Sequence, residues 1–209
     1  MPRQANPGQD RKTQILLAAR HLVFSEGVSS LTMKRVGEAV AITEPAVYRH
    51  FRNREDLIRS LITFMFDGWE EKLLALKEKP VPASEKLIRL GKIHLSHLMD
   101  HQFNPVLLLS EAGRSEQPSI AAALNEKGER IAAVMVSILR EGMAAGEFAP
   151  DLNVKSATLA LFGVLQGSLI RWTLSKSARG LSPDLEGALR LILKGLSCPA
   201  ARGKTCLDR

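Results

Sequence analysis

The stretch that decides the fold is residues 32–51, which read Thr-Met-Lys-Arg-Val-Gly-Glu-Ala-Val-Ala-Ile-Thr-Glu-Pro-Ala-Val-Tyr-Arg-His-Phe. Thr32 is a suitable N-cap for a helix at the start of this stretch. Apolar or small side chains then recur at helical spacing and predict a short helix with one inward face: Met33, Val36, Gly37 and Val40. The spacing breaks at Ala41 and Ile42, so the sequence predicts a tight turn followed by a second helix.

The second helix is predicted to begin after Thr43, with Pro45 in its first turn, where a missing N–H removes no helical hydrogen bond. Val47 and Phe51 are four residues apart and are expected to face inward. The remaining side chains are then left for the exposed directions: Glu44, Ala46, Tyr48, Arg49 and His50. Two short helices with a basic second member have the size of a unit that enters the major groove of DNA.

Two longer helices are predicted to flank this pair. One covers residues 10–26 and is ended by Gly27. The other follows Asn53, which with Asp56 forms a variant of the capping box. It is predicted to run unbroken over residues 54–77, a rod on the order of 35 Å at 1.5 Å per residue. The side chains expected to face inward on it are Leu57, Ile58, Leu61, Ile62, Met65 and Trp69.

After a Pro-Val-Pro linker at residues 80–82 the chain shows no strand-like alternation. Further helices are predicted over residues 83–100, 104–114, 119–145, 153–177 and 182–196. The predicted fold class is therefore all-α, with an N-terminal three-helix domain joined by a long helix to a larger helical domain. The predicted domain boundaries are 9–69, with the reading stretch at 32–51, and 70–198.

Composition limits the class of protein. The chain has 209 residues, 45% of them apolar, and can bury a sizeable core. Its 29 Lys and Arg against 22 Asp and Glu give a net charge of +7, which fits a nucleic-acid partner and equally a soluble basic protein. No targeting signal and no run of about 18 uncharged residues is visible, so a cytoplasmic location is expected. Cys198 and Cys206 are expected to be free thiols near the end of the chain.

The first quarter of the chain resembles the TetR family of bacterial transcriptional regulators. The resemblance is carried by the apolar pattern of residues 15–22, by Gly27 and by Thr32, Val36, Ala39, Ile42 and Thr43. It is strongest in residues 46–57, Ala-Val-Tyr-Arg-His-Phe-Arg-Asn-Arg-Glu-Asp-Leu. Three positions depart from the family pattern. The family usually has Ala in place of Gly37, Gly in place of Ala41, and a small or basic residue near Glu44, whose carboxylate would favour cytosine N4.

This resemblance implies a sequence-specific DNA-binding regulator of transcription, and within the family a homodimeric repressor released from a palindromic operator by a small ligand. Thr43, Tyr48, His50 and Arg54 would contact phosphates, whereas Glu44, Pro45, Ala46 and Arg49 would meet base edges. The expected DNA-binding residues are Thr32, Lys34, Thr43, Glu44, Pro45, Ala46, Tyr48, Arg49, His50 and Arg54. In the family, ligand binding moves the long helix and changes the separation of the two recognition helices in the dimer.

Two further sets of residues are expected, one around a ligand pocket and one at a dimer interface. The expected ligand is hydrophobic or aromatic, and the expected pocket residues are Phe64, Met65, Trp69, His97, His101, Phe103, Leu107, Leu108, Glu111, Met135 and Phe162. Residues 157–170 are apolar on more than one face, which indicates either an enclosed core helix or a helix shared with a second chain. The expected dimer contacts are Leu159, Phe162, Gly163, Leu165, Gln166, Gly167, Leu169, Leu185, Leu189 and Ile192.

Other function classes have less support in the sequence. His94, His97 and His101 share one helix face, so a metal-dependent enzyme is conceivable, but the three span about 10 Å, too far to reach one ion unaided. A polar stripe or polar contacts in a ligand pocket are the alternatives. No catalytic motif is present, so neither an enzyme nor a cofactor is expected. A DNA-binding structural factor associated with the nucleoid, with the same fold and no ligand, is a further alternative.

Overall fold

The computed structural model describes residues 10–105, 108, 118–175 and 182–197, and within these ranges the chain is all-α apart from one isolated bridge between Phe148 and Ser197. The chain divides into two compact units. One contains the residues up to Asp67 together with Leu98–Glu126. The other contains Gly68–His97 and the residues from Lys127 onward. The predicted fold class is therefore confirmed.

Four helices form the N-terminal part of the first unit: α1 (Arg11–Glu26), α2 (Met33–Ala39), α3 (Glu44–Tyr48) and α4 (Arg54–Met65). Their inward faces are those that the apolar spacing predicts, and they meet in one core whose members are buried: Ile15, Leu16, Ala19, Leu22, Met33, Val36, Val47, Phe51, Leu57, Ile58, Leu61, Ile62 and Met65. Gly27 ends α1 with a positive φ of 86°, as its position predicts.

The turn between α2 and α3 closes with two backbone hydrogen bonds. Ile42 donates its N–H to the carbonyl of Gly37 at 2.9 Å, and Ala41 donates to Glu38 at 3.2 Å. This pair of bonds is the Schellman arrangement, which needs a left-handed residue after the helix. Ala41 supplies that residue with a φ of 55°. A Cβ on Gly37 would lie 2.9 Å from the Ile42 carbonyl oxygen, so the turn is closed against a bare backbone.

The caps at the helix starts are only partly as predicted. Asn53 Oδ1 accepts the Asp56 N–H at 2.8 Å, and an Asp56 carboxylate oxygen accepts the Arg52 N–H at 3.0 Å, which is a reciprocal cap. Thr32 Oγ1 accepts the N–H of Arg35 at 3.2 Å. Thr43 occupies the N-cap position of α3, but its side chain makes no capping hydrogen bond.

The prediction of one unbroken helix over residues 54–77 is wrong. Helix α4 ends at Met65, and α5 (Trp69–Lys77) begins after Gly68, which is left-handed with a φ of 65°. An Asp-Gly pair at 67–68 allows this turn because glycine adopts positive φ at no steric cost. The six side chains predicted to face inward are nevertheless all buried, because the apolar spacing continues through the break.

The second unit contains α5 and most of four longer helices: α6 (Ala83–Asp100), α7 (Pro118–Ala144), α8 (Val154–Ser175) and α9 (Ser182–Leu196). The start of α6 is capped by Glu147, whose carboxylate accepts the N–H groups of Ala83 at 2.7 Å and Ser84 at 2.9 Å. Gly91 allows α6 to approach α8 and α9 closely, since a Cβ there would lie 2.7 Å from a methyl of Leu189. The predicted bounds of α6 and α9 agree with the structure, and those of α7 and α8 differ by one residue wherever they can be compared.

The division into units differs from the predicted domains in one respect. The predicted boundary at residues 69–70 lies two residues after the division at Asp67 and Gly68. Leu98–Glu126, which the sequence assigned to the second domain, belongs to the first unit. Phe103 illustrates the reason, because its ring meets that of Phe66 edge to face at 5.8 Å. The position of this segment in the sequence, after α5 and within and beyond α6, does not indicate that it packs near the end of α4. The predicted helix over residues 104–114 and both cysteines lie largely or wholly outside the described residues.

Replacing Ala41 with glycine is expected to stabilise the protein by about 0.5–1 kcal/mol, because a Cβ in the left-handed region is strained and the replacement removes it. Ala39→Gly is the matched control. Ala39 is exposed and helical, so glycine there is expected to cost up to about 1 kcal/mol. Urea unfolding of the two variants measures both effects. A loss of stability in Ala41→Gly would contradict the assigned strain.

Candidate nucleic-acid interface

One face of the first unit presents most of the predicted DNA-binding side chains together. Residues 43–46 and 48–50, here called the α3 surface, include six exposed side chains: Thr43, Glu44, Pro45, Tyr48, Arg49 and His50. Ala46 is half-buried. Val47 and Phe51 are fully buried and fix α3 to the core, so the surface is held by two apolar anchors. The arrangement is a short helix laid on a three-helix support with its polar side toward solvent.

Thr32 and Lys34, at the start of α2, are also exposed. The Thr32 hydroxyl accepts a backbone N–H, which leaves its own proton able to donate to a phosphate oxygen. The Lys34 ammonium adds a cation to this part of the unit. Arg35, which follows it, is instead held by Glu26, with Nη2 at 2.8 and 2.7 Å from the two carboxylate oxygens.

Glu44 is the acidic member of the α3 surface. It begins α3, and no ion pair involves its carboxylate among the residues that the structure describes. A carboxylate only accepts hydrogen bonds, so at a base edge it selects a donor such as cytosine N4. The same charge opposes close approach to phosphate, which disfavours binding that depends on the DNA backbone alone.

Arg54 differs from the other predicted contact residues. Its guanidinium is half-buried and donates from Nε to the Leu31 carbonyl at 2.7 Å and from Nη2 to the Val28 carbonyl at 2.8 Å. Both carbonyls lie in the connection between α1 and α2, which includes a single 3-10 turn at Val28–Ser30. Arg54 therefore joins the start of α4 to this connection, and its predicted phosphate contact stays a prediction.

The predicted pocket residues are divided between the two units. Phe64, Met65, His101, Phe103 and Leu108 belong to the first unit, and Trp69, His97, Met135 and Phe162 belong to the second. Most are buried, whereas Phe64, His101 and Phe162 are half-buried. Leu107 and Glu111 lie outside the described residues. Within the second unit, the Phe162 ring would lie 3.8 Å from a Cβ at Gly128, which places it against α7.

The histidines on α6 are not an exposed stripe. His94 and His97 are buried, and the ring centroids of His94 and Trp69 are 5.5 Å apart. Burial, and then the charge of His97, lowers the pKa of His94 to about 3, so that ring is neutral at pH 7. No group of three His, Cys, Asp or Glu side chains in the described ranges is placed to hold a metal ion.

The predicted pocket residues include His97 and His101 but omit His94, although all three share one face of α6. The structure buries His94 three residues after Gly91, on a side of α6 that is covered at both positions. A buried histidine is a polar group that requires an explanation. Residue type and spacing identify the shared face but do not reveal that it is buried.

Helix α8 has two apolar faces with different surroundings. One face packs against α9 within the chain. Four of the predicted dimer contacts on these two helices are buried: Leu165 and Leu169 on α8, and Leu185 and Leu189 on α9. Phe162, Gln166 and Ile192 are half-buried. The opposite face is open and contains apolar or small residues at helical spacing: Leu159, Gly163, Gly167, Ile170 and Leu174 on α8, with Gly187, Leu191 and Gly195 on α9. We call these eight residues the α8–α9 stripe.

The glycines in the stripe have space around them. A Cβ added at Gly163, Gly167, Gly187 or Gly195 would meet no described atom within 4 Å beyond its chain neighbours and its own helix backbone. Leu159, Leu174 and Leu191 are the most exposed large apolar side chains described, each more than 70% accessible. By length and composition alone, Val154–Leu174 could also cross a membrane, although 28% of that window is already buried within the chain. An open apolar stripe that runs along two helices indicates a contact surface.

Both parts of the chain match described protein families. Residues 15–61 match the family described as bacterial regulatory proteins, tetR family. Residues 80–173 match the family described as tetracyclin repressor-like, C-terminal domain. The two matches cover the α3 surface, the whole of α6 and most of α8.

Individual relatives agree with these matches over most of the chain. The nucleoid occlusion factor SlmA of Cronobacter sakazakii is 31% identical over 191 residues, which is 88% of this chain and 93% of that protein. The fatty acid metabolism regulator protein of Bacillus subtilis is 23% identical over 88% of this chain and 94% of its own length. A crystal structure of the regulator FadR from Bacillus subtilis in complex with stearoyl-CoA has the same fold. It superposes with a TM-score of 0.74 at 24% identity, covering 89% of this chain and all of that one.

Arg54→Ala is expected to lower the free energy of unfolding by about 2–3 kcal/mol, because two buried carbonyls lose charge-assisted hydrogen bonds. Arg52→Ala is the control, since Arg52 is an exposed neighbour whose loss is expected to change stability by less than about 0.5 kcal/mol. Urea unfolding compares the two variants. DNA affinity lost by Arg54→Ala at unchanged stability would instead assign Arg54 to phosphate binding.

Proposed function

We propose that the chain acts as a repressor, because it belongs to the TetR family of bacterial transcriptional regulators. Its membership of that family makes it a DNA-binding regulator of transcription. In this proposal a homodimer binds a palindromic operator in the cytoplasm and is released by a small apolar ligand. The observation that carries the DNA-binding part is the α3 surface, where six exposed polar or proline side chains lie on and beside one anchored helix.

The side chains of the α3 surface suit two kinds of contact. Thr43, Tyr48 and His50 offer hydroxyl and ring N–H donors, which suit phosphate oxygens and position the helix. Arg49 offers a fork of donors that matches guanine O6 and N7, and Glu44 accepts from cytosine N4. A guanine-reading cation and a cytosine-reading anion on one short helix favour a half-site that contains G·C pairs.

The α8–α9 stripe supports the proposed dimer. Leucines that are more than 70% accessible lie in line with glycines, at spacings of three and four, on two adjacent helices. Glycines with open space above them let a second backbone approach closely, and the leucines can fill the remaining volume. A two-fold axis through the stripe would pair α8 and α9 with their copies as a four-helix bundle. A repeated half-site in the operator follows from such symmetry.

An apolar ligand is supported by chemistry and by one relative. The aromatic and sulphur-containing side chains in the second unit, Trp69 and Met135, are buried, and side chains of this type line pockets for apolar molecules. The solved FadR structure contains stearoyl-CoA, an acyl thioester with a long apolar chain. We infer a ligand that buries a large apolar body in the C-terminal part of this chain.

A second function is favoured by one comparison. The relatives at 31% identity are nucleoid occlusion factors, so a role at the nucleoid without a small ligand is the alternative. The two functions differ in what they bind. A repressor requires few operators and a ligand, whereas a nucleoid-associated factor requires many chromosomal sites and no small molecule.

The deciding experiment is selection of bound duplexes from a random DNA pool at near-physiological salt, because weak binding at low salt is common to basic proteins. Enrichment of a palindrome supports the sequence-reading dimer. Mapping that palindrome on the chromosome then separates the alternatives, since a few sites near promoters favour the repressor and many dispersed sites favour the nucleoid factor. Absence of any enriched sequence would overturn the proposal.

Tyr48→Phe and Arg49→Ala are expected to affect the selected duplex differently. Loss of the Tyr48 hydroxyl removes a phosphate contact and should weaken all duplexes alike, by roughly three- to tenfold. Loss of the Arg49 fork should remove about 1–3 kcal/mol of discrimination at particular bases. Titration of a panel of singly altered duplexes measures both, and the same profile for the two variants would refute these roles.

Leu191→Glu is expected to convert the dimer into a monomer, because two charges would be brought together at the centre of the stripe without partners. Leu74→Glu is the matched control, since Leu74 is also an exposed leucine, 52% accessible, but lies on α5 outside the stripe. Light scattering after gel filtration gives the mass of each variant. A dimeric Leu191→Glu protein, or a monomeric Leu74→Glu protein, would place the interface elsewhere.

A further inference from the structure

His94 is a polar group buried in the second unit without a full set of partners. Its side chain is 4% exposed, and its Nδ1 atom has no hydrogen-bond partner among the described residues. The Trp69 indole lies beside it and is itself 1% exposed. Proteins rarely leave a buried polar atom unsatisfied unless a water, an ion or a ligand completes it.

The chemistry of this group limits what can complete it. Burial, followed by the charge of His97, lowers the pKa of His94 to about 3, so the ring is uncharged across the physiological range. A neutral imidazole offers one N–H donor and one bare nitrogen acceptor. A ligand hydroxyl can bond to Nδ1 whether that nitrogen carries the proton or is bare. A ligand carbonyl can bond to Nδ1 only when the nitrogen carries the proton. A carboxylate would bring a charge into the site with no opposite charge from this ring.

The described residues of the second unit provide no other buried cation for an anionic ligand. Lys86 is the one buried lysine among them, and its ammonium is already engaged. It donates to the Lys77 carbonyl at 2.6 Å and to a Glu141 carboxylate oxygen at 2.7 Å. The charge of this buried lysine on α6 is therefore already balanced.

We propose that His94 and Trp69 form the polar end of a ligand site in the second unit, which takes an apolar molecule through an uncharged hydroxyl or carbonyl group. The indole supplies an apolar wall, and His94 Nδ1 supplies the hydrogen bond that orients the ligand. This inference rests on the proposed function, because it assigns a chemical class to the ligand of the proposed repressor. It predicts that the site binds neutral ligands with a hydroxyl or carbonyl group more tightly than carboxylates with the same carbon skeleton.

The test uses matched neutral and charged probes on the full-length protein. The chain has two tryptophans, Trp69 and Trp172, so Trp172→Phe leaves Trp69 as the single fluorescent reporter beside His94. The probes are 1-decanol with decanoate, and 4-phenylphenol with 4-phenylbenzoate, each below its aggregation limit at pH 7.4. We expect a saturable change in Trp69 emission from the neutral member of at least one pair, with its charged partner at least tenfold weaker.

Variants at position 94 show whether the preference arises from this residue. His94→Leu removes the polar atom and should reduce binding of the neutral probe about tenfold while leaving the charged probe unchanged. His94→Asn keeps a polar nitrogen near the position of Nδ1 and should retain most of the binding. His21→Leu, at an exposed histidine of the first unit, should behave as the parent protein. The ligand-free melting temperature of His94→Leu should not fall, because an unsatisfied polar atom is removed.

Three results would overturn the inference: equal binding of the two members of each pair, no saturable binding of any probe, or unchanged neutral binding in His94→Leu. The proposed function is tested separately by the duplex selection. A protein that enriches a palindrome and fails with all four probes refutes the ligand site alone. A protein that binds the neutral probe and enriches no duplex refutes the repressor alone.

Discussion

The backbone hydrogen bond from Ile42 N–H to the Gly37 carbonyl, 2.9 Å long, sets where α3 begins and which side it shows to solvent. Helix α3 has five residues, and a helix of that length is not stable by itself. Its position depends on the turn and on the burial of Val47 against the α2 side. The missing side chain at Gly37 lets the turn close, and Ala41 accepts a strained conformation to complete it. Every proposed base contact therefore depends on one short, backbone-determined turn.

Local signals in the sequence predicted most of the N-terminal part of the first unit, because they are determined by neighbouring residues. Asn53 and Asp56 cap α4 as their spacing indicates, and Gly27 ends α1. The break at Gly68 was missed for a physical reason. Met65 and Trp69 are four residues apart and both are buried, so the apolar spacing continues although the helix does not. Spacing records which side of the chain is covered, and it does not record the backbone dihedral angle of a single glycine.

Roles that depend on tertiary neighbours could not be predicted from residue type. Arg54 lies in a basic segment, which predicts a phosphate contact, and the sequence does not indicate that its guanidinium also donates to the carbonyls of Val28 and Leu31. Helix α8 raises the same difficulty, because Leu165 and Leu159 are equivalent in the sequence. Leu165 is 1% exposed and belongs to the chain's own core, whereas Leu159 is 73% exposed and remains available to a second chain. The packing of neighbouring helices, α6 among them, against one side of α8 distinguishes them.

The broken helix changes where a rigid connection in a ligand-controlled regulator must be sought. Helices α4 and α5 are separated by a left-handed glycine, so they do not form the predicted rod. Helices α6 and α7 are unbroken, and each begins in one unit and ends in the other. On α6 the division falls between His97 and Leu98, one helical turn after His94. A helix resists bending over such a distance because its backbone hydrogen bonds link successive turns. In the proposed regulator, a ligand that completes the hydrogen bonding of His94 would therefore bind α6 one helical turn before the division between the units.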